Sequence, residues 1–337
     1  MPATPAFSRF LRSRSWSGGK IVNRWLAVWL ILGAGAVLWG YGVIERNRHL
    51  AHAQSELTET GEAKVRRFEE WILEKQSAVG AHFDLLNASS VFQEWDRAGQ
   101  PSDFEPLLQI LAIIRSAGEF VDLQVWDRQT DAVISLAGSP IDAGSLRQKM
   151  RPFEPGQRSQ MGDFLESGND QLLIPVYTVG RGGEELNPES RVLVVLIDPR
   201  DIIFPILADW RREYRSGELL IVHLEGESLR LIRPDRESDS ELVSVAQLEL
   251  PAVMAVAGQS GLVEGLDYRG RKVLAYIDKV SGSSWWVVVK IDRAEVLAMA
   301  REPVWVMATL LGGLVGFIAI VLEVLLWREA KQKFADR

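Results

Sequence analysis

Four histidines, His49, His52, His82 and His223, are the only imidazoles in this chain of 337 residues, and it has no cysteine. His49 and His52 stand three apart, a spacing that puts both on one helix face and could begin a metal site. No third ligand stands near them in sequence, so a polar interfacial face is the expectation. The lack of cysteine removes thiolate nucleophiles, disulfides and sulfur-bound metals. Gly180-Arg181-Gly182-Gly183 has neither the lysine nor the strand–loop–helix setting of a phosphate loop, and no Gly-x-Ser-x-Gly elbow occurs. Glu69-Glu70 and Glu184-Glu185 read as solvated charges. Arg66-Arg67 reads as a solvated face that could also meet lipid headgroups or a partner. With no nucleophile–base set, neither an enzyme nor a metal or other cofactor is expected.

Binding residues are harder to place. Trp126 and Tyr177 fall in strand-like runs and could line a pocket, while Arg115 precedes the first strand and could pair a carboxylate. For both aromatics core packing is the favoured reading and ligand contact the alternative. Asp198 precedes Pro199, which suits an N-cap followed by proline at the first helical position. Tyr268 and Trp285 read as core or turn residues that define the fold.

The elements that must hold these residues lie between two apolar runs. Residues 25–44 carry no charge, and 303–327 carry only Glu323 near the far end. About 20 apolar residues in a helix span a ~30 Å hydrocarbon core. Residues 1–24 hold Arg9, Arg12, Arg14, Lys20 and Arg24 and no acid, and 328–337 are rich in Arg and Lys. Such flanks stay cytoplasmic, so both termini are predicted inside and residues 45–302 outside. That stretch holds 42 of the 45 acidic and 29 of the 38 basic residues, a net −13 that excludes nucleic-acid binding. A small-x-small triplet exists at 51–53, but Glu45, Arg46 and Arg48 separate it from a run longer than a signal h-region; an uncleaved anchor is expected.

Apolar steps of three and four from Leu50 to Leu86 predict a long amphipathic helix over 44–92, with Gly61 as a possible break. A helix over 104–117 follows, with Asp103 within N-cap reach. Strands are predicted at 121–127, 132–136, 171–178 and 191–197, then a helix at 199–214. A similar series comes next: strands at 218–224 and 228–233, a helix at 246–257, strands at 261–268, 272–279 and 285–291, and a helix from 292 to 300. The fold class is therefore α+β: a stalk helix (45–100) and two antiparallel-sheet modules (101–214 and 215–300) between two transmembrane helices.

This order resembles the double Cache domain, two PAS-like modules along a long N-terminal helix. The resemblance covers roughly residues 45–300. It is strongest at 261–296, GLVEGLDYRGRKVLAYIDKVSGSSWWVVVKIDRAEV, with support from 192–205, VLVVLIDPRDIIFP, and from 65–79 around Trp71 and Ile72. It implies a bacterial inner-membrane sensor. A small molecule, with organic anions among the candidates, would bind the membrane-distal module in the periplasm, and the signal would pass through the second span to a cytoplasmic output domain or partner. The length of the stalk helix, which outruns any single small domain, adds the expectation of a homodimer paired through it. A periplasmic scaffold using the same fold is the alternative. Of the residues that hold amino acids in that family, only an aspartate finds a counterpart, Asp198; the arginine-x-tryptophan-tyrosine cluster has none between 120 and 178, which argues against a standard α-amino-acid receptor. Ten residues follow Trp327, so no kinase, cyclase or HAMP-like segment is expected in this chain.

Overall fold

One helix, α1 (Ser15–Ala88), runs for 74 residues in the computed structural model of the chain. The structure describes residues 15–93, 105–118, 120–128, 130–136, 141, 143–150, 153, 157–166, 172–179, 191–210, 214–233, 240–246 and 249–335. The expected cap at Asp103 and the residues 180–185 lie outside them. By contacts the chain divides into residues 54–293 and a second unit of 1–53 with 294–337.

In the larger unit, α2 (Glu105–Gly118) leads into a six-stranded antiparallel sheet. Its strands are β1 (Asp122–Asp127), β2 (Ala132–Ser135), β3 (Ser159–Met161), β4 (Leu165–Glu166), β5 (Leu172–Val179) and β6 (Arg191–Ile197). Their order is β2-β1-β6-β5-β3, with β4 also on β5. A short helix, α3 (Ala143–Lys149), lies between β2 and β3. The helix α4 (Pro199–Ala208) then leads to a second sheet, ordered β10-β11-β12-β7-β8-β9. It comprises β7 (Glu218–Glu225), β8 (Ser228–Ile232), β9 (Ser240–Ser244), β10 (Gly261–Leu266), β11 (Lys272–Lys279) and β12 (Trp285–Asp292), with α5 (Pro251–Val256) between β9 and β10. The α+β expectation of two consecutive antiparallel modules is met.

Alternation along the strands sends neighbouring side chains to opposite faces. The second sheet presents Leu220, Val222, Ala275, Ile277 and Val288 toward α5. Its other face lies on α1, where Trp71 stacks on Trp285 with centroids 6.5 Å apart. The first sheet meets α1 farther along, near Gly80 and Ser159. Thus α1 forms one wall for both sheets. Gly61 does not break it. A Cβ at Gly61 would sit 2.0 Å from Cδ1 of Tyr276, so this glycine permits close approach of helix and sheet.

Two predicted helices are shorter than expected, for identifiable reasons. Helix α4 ends at Ala208, not Tyr214, because Lys64 of α1 donates to the carbonyls of Ile206, at 2.8 Å, and Asp209. Those acceptors would serve another turn. Burial lowers the Lys64 pKa against the pull of Asp209, which also pairs with Arg67 at 3.0 Å. Helix α5 starts at Pro251, not Ala246, because Leu250 before the proline is extended at φ −75, ψ 130. Glu69, expected in solvent, accepts the Ser281 N–H at 3.0 Å and ties α1 to the β11–β12 turn.

After β12, α6 (Arg293–Met299) precedes α7 (Arg301–Ala335), where the sequence predicts a helix running into the second span. Within Val28–Ala88 and Arg293–Leu325 lie stretches long and apolar enough to cross a membrane. Trp29, Trp39, Trp305 and Phe317 are all largely exposed there, which suits hydrocarbon and not water.

Candidate ligand-binding face

Strand β1 reads Asp122-Leu-Gln124-Val-Trp126-Asp, and all six residues are buried. Leu123, Val125 and Asp127 point one way; Asp122, Gln124 and Trp126 point the other. The latter face also carries Val192, Val194 and Leu196 of β6 and Leu173, Tyr177 and Val179 of β5. It is covered by α3 through the fully buried Leu146.

Asp122 Oδ2 accepts from Gln124 Nε2 at 2.9 Å and from Ser135 Oγ at 2.7 Å. Gln124 is 0 % exposed, yet its Oε1 meets no donor among the described residues. A buried acceptor left unmatched costs about 1–3 kcal/mol. Trp126, 1 % exposed, has a buried Nε1–H near the Asp131 carboxylate but outside good hydrogen-bond geometry. Asp131 is held below the usual carboxylate range chiefly by Arg147 of α3, which bonds both of its oxygens. Tyr177 donates weakly to the Leu146 carbonyl at 3.4 Å. Burial, then the nearby Asp163, raises its hydroxyl pKa well above the ordinary value.

Of the four residues singled out from sequence, Trp126 and Tyr177 therefore meet in one buried cluster. Asp198 does not join them. It is the N-cap of α4, accepting the Arg200 N–H at 2.9 Å and pairing with the Arg200 guanidinium at 2.8 Å. Val192 pairs with Trp126, so Asp198 lies six residues along β6, roughly 20 Å away at ~3.3 Å per residue. Arg115 is exposed on the last turn of α2. Sequence reasoning passed over Asp122, Gln124 and Ser135. The available signal was two polar residues, Asp122 and Gln124, alternating with Leu123 and Val125 on one strand; Ser135, on β2, carried none.

A second polar group joins the two sheets. Ser284 Oγ donates to Asp163 and lies 3.3 Å from Nδ1 of His223, itself 2 % exposed. Phe164 packs on Trp285 at 4.8 Å and on His223 at 6.2 Å. Lys149 of α3 meets Glu225 at 2.6 Å, which also holds Arg230 at 2.7 Å. Serine, histidine and aspartate here do not make a catalytic relay, since the serine gives its proton to the carboxylate and not to the imidazole. Among the described residues no group of three potential metal ligands gathers.

This junction gives a pH prediction. Burial lowers the His223 pKa below its ordinary 6.5, with Asp163 and Glu225 opposing and Lys149 and Arg230 adding to the fall. The unfolded chain then takes up the proton first on acidification, so stability is complete above about pH 6.5 and falls as pH drops through the folded value. The urea midpoint is expected to be lower at about pH 5 than at pH 7.5, and His223→Gln should flatten that difference. Equal slopes in both proteins would refute the assignment.

No family model matches the chain, and no curated protein matches it in sequence. Solved structures do. The ligand-binding domain of Mlp24 with asparagine aligns at TM-score 0.51 and 13% identity, over 77% of this chain and 99% of that one. The ligand-binding domain of the Pseudomonas aeruginosa PAO1 amino acid chemoreceptor PctB in complex with L-Gln aligns at 0.50 and 14%, over 72% and 92%. Its complex with L-Arg aligns at 0.50 and 12%, over 74% and 92%. At such identities the likeness is one of fold.

Proposed function

From a chain that has the double Cache fold, we propose a membrane-anchored extracytoplasmic sensor that binds a small molecule on the α3-covered face of the first sheet. The observation that carries this reading is the hydrogen-bonded row Asp122–Gln124–Ser135 beside Trp126 and Tyr177, with the buried Gln124 Oε1 meeting no donor among the described residues. A ligand that brings a hydrogen-bond donor relieves that deficit. The sequence lacks the arginine-x-tryptophan-tyrosine cluster of standard α-amino-acid receptors, but the similar domains hold asparagine, L-Gln and L-Arg. Amides and free amino acids also bring the donor that Gln124 Oε1 calls for, so they lead the set of probes, followed by organic acids.

In this reading residues 45–302 are periplasmic, the termini are cytoplasmic, and the protein sits in a bacterial inner membrane. The first sheet is the membrane-distal module (101–214), the second the proximal one (215–300), and α1 pairs with its twin in a homodimer. Binding must favour one arrangement of the two sheets over another, since equal affinity for both shifts nothing. The junction supplies the contacts that such a shift would alter. Lys149 lies three residues from Leu146, whose carbonyl Tyr177 contacts, and Asp163 follows Gly162, packed on the Tyr177 ring. The signal would pass to a cytoplasmic partner or output domain.

The test is thermal unfolding of the full chain in detergent with each probe. A true ligand at about 100 times its Kd adds about 2.7 kcal/mol, and Gln124→Leu should abolish that gain. If no amino acid, amide or organic acid shifts the midpoint, the reading fails.

A further inference from the structure

At one end of the second sheet, on the face covered by α5, four charged side chains meet in the interior. Lys290 of β12 and Glu218 of β7 are direct cross-strand partners, with Nζ and Oε2 2.8 Å apart. The other Glu218 oxygen lies 3.4 Å from Arg233 Nε. Lys290 and Arg233 are 6 % and 3 % exposed, and both lie against the same Tyr268 ring, 4.6 and 4.7 Å from its centroid. The remaining acid, Asp267, has other work. Its Oδ1 accepts the Arg269 and Arg271 N–H groups at 2.8 Å each, holding the β10–β11 turn, and its Oδ2 is 3.9 Å from Lys290.

One carboxylate thus bridges a buried lysine and a buried arginine beneath an aromatic ring. These are the groups with which proteins bind carboxylate ligands. Beside them opens a cavity of ≈ 20 Å³ walled by Leu220, Leu231, Val243, Leu250 and Val288. That space admits about one water or a methyl-sized group. Charged recognition at one end and an apolar recess at the other describe a short-chain carboxylic acid.

We propose that the second sheet carries a carboxylate socket whose occupant is the chain's own Glu218, and that removing this side chain opens the socket to a small carboxylate such as acetate. The acid group would bridge Lys290 and Arg233, and the methyl group would enter the recess. A tethered group acts at an effective concentration far above that of a free competitor, so Glu218 keeps the socket closed in the native chain. The inference is independent of the ligand proposed for the first sheet.

The experiment compares the full chain in detergent with its Glu218→Ala and Glu218→Gln variants, in sodium acetate or in sodium chloride of matched ionic strength. Glu218→Ala should unfold several degrees below the native chain. Acetate, and not chloride, should restore a large part of that loss in a saturable way and broaden the carbon resonance of labelled acetate. The native chain should show neither effect, and Lys290→Met in the Glu218→Ala background should remove both. Glu218→Gln, which fills the space without the charge, should stay unrescued. If Glu218→Ala does not fold in chloride, refolding in acetate is the readout and recovery there supports the socket. Equal rescue by chloride, rescue of Glu218→Gln to the same extent, or no rescue of Glu218→Ala by acetate would each overturn it.

Discussion

Replacing Trp285 by alanine is expected to lower the unfolding free energy by about 3–5 kcal/mol. The indole is 0 % exposed and stands where three parts of the molecule converge. Trp71 of α1 stacks on it at 6.5 Å and 23°, and Phe164 from the first module packs at 4.8 Å and 30°. Each aromatic pair contributes about 0.5–1.5 kcal/mol beyond its buried area. The indole Nε1 meets no acceptor among the described residues, so the loss comes from packing and the cavity left behind, not from a broken hydrogen bond. Denaturant midpoints of native protein, Trp285→Ala and Trp285→Phe would check this, with phenylalanine retaining the larger part. A cost below about 1 kcal/mol for alanine would mean that the three parts are not knit together here.

The second large effect is expected at Gly61. Replacing a glycine inside a helix ordinarily stabilises it, by about 1 kcal/mol for alanine. Here the sign reverses. The new Cβ would lie 2.0 Å from Cδ1 and 2.6 Å from Cε1 of Tyr276. That ring has nowhere simple to go: it is buried, and its hydroxyl donates to Asp278 Oδ2 at 3.1 Å. Gly61→Val should therefore cost about 3 kcal/mol net. A double variant with Tyr276→Ala should lose less than the sum of the single changes, by at least about 1 kcal/mol. Strict additivity would show that the clash is relieved elsewhere.

Gly61 also shows what sequence can and cannot disclose. A glycine that ends a helix and one that lets a sheet approach look alike until the opposing tyrosine is known, and Tyr276 is more than two hundred residues away. Runs such as Arg191–Ile197 and Lys272–Lys279 were legible to the residue because continuous apolar strands flanked by turn residues admit little else. Ser159–Met161 and Leu165–Glu166 escaped notice, since two or three residues carry no period and owe their conformation to β5. Ala143–Lys149 escaped for a similar reason: one apolar contact, Leu146, suffices for a helix of two turns. At the candidate site the aromatics were legible as types. The polar row was not, because Asp122 and Gln124 become unusual only once both faces of β1 are known to be buried.

The long helix that walls both sheets has a consequence for how such paired modules can be recombined. A chain begun at residue 101 or 215 would keep all the strands of at least one sheet but lose Phe68, Trp71 and Ile72, or Val79 and Phe83, from the back of its core. Each half keeps the short helix on one face of its sheet but has nothing of its own for the face that lies on α1. Inheritance, duplication or laboratory grafting must therefore move residues 54–293 as a single cassette, with splice points confined to α1 before the first sheet contact and to the end of β12.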